Sequence, residues 1–450
     1  MTNITIDFNL KEPLYYQIYK KFVDCINQGI LKPEEKIPSK RNLATHLGVS
    51  INTIMNAYNQ LLDEGYIHAK EKKGYYVTKQ EFVSIVKNVT VPENRENQYL
   101  YDLTTQTTEE NEFSYTNFIK CVKETLTTKD YIKKSPLEGL ECLRCAIAEH
   151  LKQNRGIYTT PQQIIIGNGI EMLEKIFDII PCQTFGIENP GYHKLAQMMS
   201  SKNIPIEYLA VDDQGVMIPQ KSSILYTTSF NQFPTGIKMS ISRKKELINW
   251  ALKNNGYIIE DDFDAEYRIG SVPKTALFSL NPLRVIFFSS FSSTIFAGFR
   301  IAYMILPKDL LSKYQNAFKN HSNPVSSLDQ LILYHYITKG DYAKHINRLK
   351  NKYIKKRKII FEILNNSAIF QFDQQKNFLS VLVNIDPKIS IKDLLHQLFL
   401  KRILIKTTGH YSYPLKANHT LILGYTNINE EDLKKVLNIL KTELEQTKRD

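Results

Sequence analysis

Residues 39–65, SKRNLATHLGVSINTIMNAYNQLLDEG, predict two short helices around a tight turn. Ser39 can cap the first helix and Gly48 can end it. Ser50 and Gly65 can do the same for the second helix. Serine favours a helix start because its hydroxyl accepts a hydrogen bond from a free backbone amide, and glycine favours the left-handed residue at a helix end. Two helices joined in this way form a helix-turn-helix.

The segments on either side of this motif predict a winged arrangement. Before it, residues 13–29 (PLYYQIYKKFVDCINQG) place apolar side chains on one helical face, and Gly29 follows where a helix would stop. After it, residues 66–79 (YIHAKEKKGYYVTK) predict two short strands whose tip, Lys72-Lys73-Gly74, forms a basic wing. We therefore predict a winged helix-turn-helix domain over residues 1–80.

Polar and basic side chains stand where such a domain would meet DNA. A helix fits the major groove and presents its first side chains to base edges, while flanking cations contact phosphates. The net charge of +12 also favours a polyanionic partner. Taken singly, these residues could equally be helix caps or solvated lysines. The candidates are Ser50, Asn52 and Thr53 on the second helix, Ser39, Lys40 and Arg41 on the first, and Lys70, Lys72 and Lys73 on the wing.

The segments PLYYQI, IPSKRNLA, LGVSINTIMNAYNQL and GYIH, in that order over residues 10–80, closely resemble the winged-helix head of the GntR family. The resemblance implies a transcription regulator that binds double-stranded DNA. One position departs from the pattern, because the family commonly has arginine between the serine and the Asn-Thr pair, where this chain has Ile51. The departure removes an arginine contact to DNA, so the resemblance does not indicate the target sequence.

The rest of the chain predicts a second, larger domain. At 450 residues the chain is too long for one ordinary core. Residues 81–100 are polar without a sustained period and predict a linker. Over residues 101–450, helical patterns alternate with strand-like runs, which predicts an α/β sheet with crossover helices. The runs are QIIIG, PIEYLAV, SILYTT, GYIIEDD and RVIFFSS.

Several bulk features indicate a cytoplasmic protein. No apolar run approaches the length of a membrane helix, and the first residues lack the pattern of a secretory signal. An odd number of cysteines, five, fits a reducing compartment. Cys142 and Cys145 form a C-x-x-C inside a helical pattern without a second pair. A core helix is the favoured interpretation, and a metal or redox pair stays open.

Seven segments in order resemble the fold-type I aminotransferase family as it occurs in MocR-type regulators. They are SPLEGLECLRCAIAEHL, IGNGIEML, ENPGY, QFPTG, IEDDFDAEYR, FSSTIFAGFR and LILGY. The resemblance spans most of residues 101–450. It implies a large sheet domain with a smaller C-terminal α+β subdomain, a pocket for pyridoxal phosphate, and a homodimer, because aminotransferase folds usually build that pocket at a dimer interface.

By this resemblance several residues would surround the cofactor. Asp261 takes the position that contacts the pyridine nitrogen, Tyr192 the position that stacks on the ring, and Arg300 a phosphate-binding position. The glycine-containing turn of IGNGIEML opens a helix whose amides could also hold phosphate. Alternatively, Asp261 is buried structure beside Asp262, and Arg300 pairs with an internal carboxylate. The candidate cofactor-binding residues are Gly167, Asn168, Gly169, Tyr192, Asp261, Ser293 and Arg300.

Three positions lack the side chain that the family's chemistry uses. Ser293 stands at the position of the Schiff-base lysine, and no lysine lies between Arg284 and Lys308 to replace it. Phe263 stands where a tyrosine hydroxyl commonly reaches the cofactor ring oxygen, and Ile422 aligns with an arginine that clamps a substrate carboxylate. A serine cannot form an imine, phenylalanine has no donor, and isoleucine cannot bind a carboxylate.

We therefore expect a homodimeric transcription regulator whose large domain senses or dimerises and is not an enzyme. Its partners would be double-stranded DNA and a small anionic effector. Pyridoxal phosphate could bind only without a covalent bond, and we expect no metal site. Two alternatives stay open. One is an aminotransferase-like enzyme, if Ser293 is an engineered replacement of lysine, and the other is a large domain that serves only as a dimerisation scaffold.

Overall fold

Residues 6, 8, 12–79, 99–104, 113–264, 266–267, 275–367, 369–372, 379–416 and 418–447 are described by the computed structural model. The chain divides into two compact units, Met1–Glu96 and Asn97–Asp450. Most of the predicted linker, residues 81–98, lies outside the described residues. The domain boundaries derived from the sequence therefore remain a prediction.

The first unit is a winged helix-turn-helix, as the sequence predicted. Its elements are α1 (Leu14–Asn27), α2 (Lys40–Leu47), α3 (Ile51–Asp63), β1 (Ile67–Lys70) and β2 (Gly74–Val77). Both predicted caps are confirmed. The hydroxyl of Ser39 accepts from the amide of Asn42 at 3.2 Å, and that of Ser50 accepts from the amide of Thr53 at 3.1 Å.

A small aromatic core holds α1 against α3 in this unit. The rings of Phe22 and Tyr58 meet edge to face with centroids 5.6 Å apart. The hydroxyl of Tyr58 donates to the carbonyl of Pro38 at 2.8 Å, which ties α3 to the segment before α2. Ile18 and Ile54 are fully buried beside these rings. Burial of this apolar area fixes the angle at which α3 is presented to its surroundings.

The second unit is built on a mixed eight-stranded sheet. The strand order is β4-β11-β10-β9-β8-β5-β6-β7. Strands β10, β9, β8, β5 and β6 run parallel, while β11 is antiparallel to both of its neighbours and β7 is antiparallel to β6. The strands are β4 (Ile164–Gly167), β5 (Phe185–Asn189), β6 (Ile206–Asp212), β7 (Gly215–Val216), β8 (Ile224–Thr227), β9 (Tyr257–Asp261), β10 (Val285–Ser290) and β11 (Ala302–Ile305).

Both faces of this sheet are covered by apolar side chains. Along β4, Ile164 and Ile166 join the cluster on one face, while Ile165 joins the cluster on the other. Every residue of β4, β8, β9 and β11 is buried. A strand covered on both faces reads as a continuous apolar run rather than an alternating one. All five runs named from the sequence are confirmed as strands, and four of them are buried almost throughout, whereas the run in β6 is mostly half-buried.

Helices connect and cover the strands. Those of the large sheet are α4 (Tyr115–Thr128), α5 (Glu141–Arg155), α6 (Glu174–Ile179), α7 (Lys194–Ser201), α8 (Ile241–Lys253), α9 (Leu277–Leu280), α10 (Lys308–Phe318), α11 (Ser327–Thr338) and α12 (Asp341–Asn365). Cys142 and Cys145 both lie on α5, as predicted, and both are free thiols. Cys142 is half-buried and Cys145 is exposed.

The expected smaller α+β part follows α12. An antiparallel sheet has the strand order β12-β13-β16-β15. A separate parallel pair joins Tyr101 of β3 to Ile403 of β14. The elements are β3 (Tyr101–Asp102), β12 (Gln371–Phe372), β13 (Ser380–Asn384), α13 (Ile391–Leu400), β14 (Ile403–Leu404), β15 (Lys406–Thr407), β16 (Thr420–Gly424) and α14 (Glu430–Thr447).

A glycine before α5 permits a close approach between that segment and the sheet. Gly139 has φ +95°, and a Cβ there would overlap the side chain of Ile166. Gly156 has φ +62° but open space around its Cβ position. We expect Gly156→Ala to cost about 1 kcal/mol of unfolding free energy from the left-handed backbone. Gly139→Ala should cost a further 1 to 3 kcal/mol, roughly, from overpacking.

Urea unfolding followed by the fluorescence of Trp250 measures this difference, because Trp250 is the one tryptophan of the chain and lies in the second unit. Equal costs for the two alanine variants would show that the segment before α5 moves away from the sheet freely.

Candidate functional site

A cavity of about 310 Å³ lies at the carboxyl ends of the parallel strands. Asp261 ends β9, Thr228 follows β8, and Ser290 ends β10, and all three line the cavity. In open α/β sheets, ligands bind in the crevice outside the carboxyl ends of the strands. The strands therefore bring residues far apart in sequence to one place suited to a ligand.

Four of the seven residues expected around a cofactor line this cavity. They are Gly169, Tyr192, Asp261 and Arg300. Ser293 is not among the lining residues, and its hydroxyl donates to the backbone carbonyl of Phe263 at 3.1 Å. Gly167 and Asn168 are likewise outside the lining set, although they precede Gly169 directly.

Asp261 carries an unsatisfied oxygen in the cavity wall. One of its carboxylate oxygens accepts from the hydroxyl of Tyr226, while Oδ1 has no hydrogen-bond partner among the described residues. Asp261 is only 6% exposed, so this atom has lost water without gaining a donor. Burial raises the pKa of Asp261 to about 7, assisted by the nearby carboxylates of Asp262 and Asp264 and opposed by the hydroxyl of Tyr226. A cationic donor is the group that would satisfy Oδ1 best.

The neighbouring buried carboxylates are satisfied by protein groups. Asp262 pairs with the guanidinium of Arg155, whose Nη2 lies 2.8 Å from Oδ1 of Asp262. Asp264 accepts from the amide of Asn231 at 2.9 Å. Burial raises the pKa of Asp262 to about 6 and that of Asp264 to about 7. Asp262 therefore has its own partner, whereas Asp261 lines the cavity and keeps a buried oxygen without a partner among the described residues.

Two cationic side chains pair with the carboxylate of Glu171. Its Oε1 lies 2.5 Å from Nζ of Lys194, and its Oε2 lies 3.1 Å from Nη2 of Arg300. Burial by itself would raise the pKa of Glu171, but the hydrogen bond from Lys194 and the charge of Arg300 outweigh burial, so the pKa is lowered. These three side chains are between 39% and 52% exposed. An ion pair this exposed contributes about 0 to 1 kcal/mol, so an incoming anion can displace Glu171 from the two cations.

The turn after β4 differs from the helix start that the sequence indicated. Residues Ile170–Leu173 form a single 3₁₀ turn, and α6 begins only at Glu174. Gly169 has φ +124°, and a Cβ there would lie 2.5 Å from Nη2 of Arg300. Glycine at this position therefore lets the guanidinium lie against the backbone of the turn.

Sequence reasoning missed several members of the site. Glu171 and Lys194 sit inside or directly beside the segments IGNGIEML and ENPGY, so their position in those segments was the available signal. Tyr226 lies within the strand-like run SILYTT and gave no signal of its polar contact with Asp261. Tyr411 lines the cavity from the C-terminal part of the chain, where its ring meets Phe233 edge to face with centroids 4.7 Å apart.

The other two substituted positions lie in different environments. Phe263 lines the cavity, so the wall has an aromatic ring without a hydroxyl at that point. Ile422 is 4% exposed in β16, where it is paired with Leu382 and Lys406 of the neighbouring strands. It is not among the cavity-lining residues. Ile422 therefore serves the core of the smaller sheet.

In the first unit, the expected DNA-facing residues fall into two groups. The exposed group consists of Arg41, Asn52, Lys72 and Lys73, and the two lysines stand in the turn between β1 and β2. Lys70 lies on β1 with its Nζ 2.5 Å from a carboxylate oxygen of Glu34. Those engaged within the unit are Ser39 and Ser50 as caps, Thr53 in contact with Ser50, Lys40 near the ring of Tyr75, and Lys70.

Comparisons with known proteins identify the family. The model of bacterial regulatory proteins of the gntR family matches residues 14–77, and the model of aminotransferase class I and II matches residues 96–439. The chain therefore belongs to the transcriptional regulators that join a gntR-family head to an aminotransferase class I and II domain. The MocR-type organisation indicated by the sequence motifs is confirmed.

Relatives match over almost the whole chain. The uncharacterized HTH-type transcriptional regulator YdeL of Bacillus subtilis is 31% identical over 98% of this chain and 97% of its own length. The HTH-type pyridoxine biosynthesis transcriptional regulator PdxR of Corynebacterium glutamicum is 26% identical over 97% of this chain and 98% of its own. Among solved structures, an archaeal alanine:glyoxylate aminotransferase has a TM-score of 0.70 at 21% identity, covering 77% of this chain and 91% of that one. This last likeness confirms the fold.

Two absences hold for the described part of the chain. There, no helix is both long and apolar enough to cross a membrane. Within the same residues, no group of three or more His, Cys, Asp or Glu side chains is arranged to hold a metal ion.

The raised pKa of Asp261 predicts how the stability of the second unit depends on pH. Between its ordinary pKa of 3.8 and about 7, the folded protein binds a proton that the unfolded chain has released, so stability falls as pH rises through this window. Asp261→Asn removes this loss. The difference in unfolding free energy between the variant and wild type should therefore grow by about 2 to 3 kcal/mol in favour of the variant from pH 5 to pH 8, at roughly 1.4 kcal/mol per pH unit within the titration window.

The measurement is urea unfolding at several pH values, again followed through Trp250. Asp213→Asn is the matched control, because Asp213 is an exposed aspartate of the same unit, and its curve should stay parallel to wild type. If Asp261→Asn also stays parallel, Asp261 is ionised throughout and its burial carries no such cost.

Proposed function

We propose that this chain is a DNA-binding transcription regulator whose second unit binds a small anionic ligand reversibly and does not catalyse amino-group transfer. The observation that supports this most is the make-up of the cavity. It offers the free oxygen of Asp261 to a cationic donor and the cations of Arg300 and Lys194 to an anion. Ser293, at the position of the family's lysine, engages its hydroxyl with a backbone carbonyl instead.

The first unit supports the DNA-binding part of the proposal. It presents a capped α3 beside a wing with two exposed lysines, which is the arrangement that places a recognition helix in the major groove and cations on the phosphates. We further propose a homodimer through the second unit. Two heads then address two half-sites, since an operator's two-fold symmetry matches that of its protein. Three helices and two short strands offer too little surface for a large stable interface of their own.

Removal of three exposed cations tests DNA binding. In the full-length protein, alanine at Arg41, Lys72 and Lys73 together should weaken binding to every duplex, because these side chains contact phosphates rather than bases. The slope of log affinity against log salt should fall by up to about 3, near 0.9 for each phosphate that is no longer neutralised. Fluorescence anisotropy with duplexes from the gene's own promoter, titrated at several salt concentrations, gives both quantities.

The matched control is alanine at Lys129, Lys133 and Lys134, which are exposed lysines of the second unit. This variant makes the same change in net charge, so it should keep most of the wild-type affinity and slope. If the head variant retains the wild-type salt dependence, the assignment of the DNA-binding surface is wrong.

The cavity also fits pyridoxal phosphate without a covalent bond. Oδ1 of Asp261 has no protein donor among the described residues and suits a protonated ring nitrogen, Tyr192 is available to the ring, and Arg300 and Lys194 suit a phosphate. In enzymes this cofactor supplies an electron sink for a carbanion. Here the residues would only bind and orient it, because Ser293 cannot replace a lysine nucleophile and Phe263 lacks the donor for the ring oxygen.

A lysine in the cavity wall could in principle form the covalent bond that the enzymatic alternative requires. Lys194 is the one lysine in the described lining of the cavity. Its amino group is 2.5 Å from Oε1 of Glu171, inside an ion pair. An amine held by a carboxylate in this way is not presented as a free nucleophile, so we place Lys194 with the anion-binding groups.

Calorimetry with pyridoxal phosphate separates these functions. The wild-type protein should bind it reversibly, and Arg300→Ala should weaken binding at least tenfold because a charged hydrogen bond to the phosphate is lost. Glu171→Gln should strengthen binding severalfold, since it removes the carboxylate that competes for Arg300 and Lys194. Glu174→Gln, a half-buried glutamate one turn along the chain, is the control and should behave as wild type.

Borohydride treatment followed by mass spectrometry completes this test. We expect no lysine of the protein to be modified. A reduced adduct on Lys194 would establish the covalent, enzyme-like alternative. Absence of binding by any phosphate-bearing or carboxylate ligand would reduce the second unit to a dimerisation scaffold.

A further inference from the structure

The exposed face of α3 is made of uncharged side chains from Ile51 to Asn59, and the exposed Asp63 is the last residue of the helix. Residues 51–63, INTIMNAYNQLLD, contain neither lysine nor arginine. One face of α3 is buried against the rest of the unit and consists of Ile54, Ala57, Tyr58 and Leu61. The opposite face of the helix is therefore the exposed one. The residues on that outward face are Ile51, Asn52, Met55, Asn56 and Asn59, all of them exposed.

The helix cap decides which of these groups are free to contact bases. The hydroxyl of Ser50 lies 2.8 Å from Oγ1 of Thr53 and also accepts from the amide of Thr53. Ser50 and Thr53 therefore satisfy each other within the cap. The side-chain amides of Asn52 and Asn56 have no hydrogen-bond partner among the residues that the structure describes, so their donors and acceptors remain available.

The apolar members of this face have large exposed fractions. The exposed fraction is 48% for Ile51 and 38% for Met55, which follows Ile51 by one helical turn. Side chains four residues apart lie on the same face of a helix. Ile51 and Met55 thus form an apolar strip that runs beside the strip formed by Asn52 and Asn56.

The two strips of α3 suit some base pairs in the major groove better than others. Guanine is read mainly by arginine or lysine at O6 and N7, adenine by asparagine or glutamine at N6 and N7, and the thymine methyl by apolar side chains. We infer that α3 reads A·T base pairs, with Asn52 and Asn56 on adenine and Ile51 and Met55 on thymine methyl groups. This inference rests on the proposed DNA-binding function and names the sequence class that the recognition helix selects.

The inference applies to α3 and not to the whole contact surface. Arg41 lies near the start of α2, and Lys72 and Lys73 lie on the wing, so these cations would reach phosphates from other elements. Sequence preference at the base pairs under α3 then comes from uncharged groups, whereas the salt dependence of binding comes from the cations around them.

Base analogues test the inference in the full-length protein. Duplexes are first selected from a random pool, and each half-site should contain consecutive A·T pairs at its centre. Uracil in place of thymine removes only the major-groove methyl group and should weaken binding at least threefold at these positions. Replacement of adenine by 7-deazaadenine removes N7 and should weaken binding at least tenfold. The same analogues outside the half-sites are the control.

Variants of exposed residues assign the contacts. Ile51→Ala should abolish the effect of replacing thymine by uracil at one base pair. The variant should still bind duplexes with 7-deazaadenine more weakly than those with adenine. Ile51→Arg should shift the preferred base at that pair to guanine. Circular dichroism checks that both variants keep the helices, which an exposed position allows.

The outcomes separate the inference from the function on which it rests. If no duplex is enriched, the proposed DNA-binding function fails. If duplexes are enriched with G·C pairs in the half-site centre, or if uracil and 7-deazaadenine change nothing there, A·T reading by α3 is overturned while DNA binding stands.

Discussion

The structure of the second unit depends on the cost of placing carboxylates at the buried carboxyl edge of its sheet. An unpaired buried charge is expensive, so each carboxylate needs donors from the protein. Glu188 receives them from Thr227, Thr228 and Gln232, and Glu260 receives the amides at the start of α9. Asp261 alone among these strand-end carboxylates keeps an oxygen that no described residue satisfies. The cavity therefore lies beside the strand-end carboxylate to which the described residues supply too few hydrogen-bond donors.

The ion pair of Asp262, the residue after Asp261, and the ion pair of Arg300 in the cavity wall differ in burial. Arg155 and Asp262 are each 4% exposed, and removal of either partner would leave a buried charge. Glu171 and Arg300 are about half exposed and screened by water, so their pairing contributes little. The first pair is therefore part of the framework, whereas the second can exchange its carboxylate for a ligand anion.

The first unit separates its chemistry in a similar way. Its aromatic core and serine caps set the position of α3, the exposed Arg41, Lys72 and Lys73 lie on α2 and the wing, and the exposed face of α3 is uncharged from Ile51 to Asn59. If the proposed DNA contacts hold, affinity and base preference come from different elements. In the proposed dimer, a ligand in the second unit would not need to alter the exposed face of α3 in order to regulate the protein, because the spacing of the two heads would also determine whether both half-sites are bound.

The sequence by itself determined the winged head, its caps, five strands of the large sheet and four residues of the cavity wall. Local patterns carry these features, because capping and continuous apolar runs act over a few residues. The tertiary structure alone decided that Glu171 and Lys194 join Arg300, that Tyr226 reaches Asp261, and that Ile422 packs into the smaller sheet away from the cavity. The sequence could not show these pairings, since each joins side chains from distant strands and turns that only the packed sheet brings within hydrogen-bond distance.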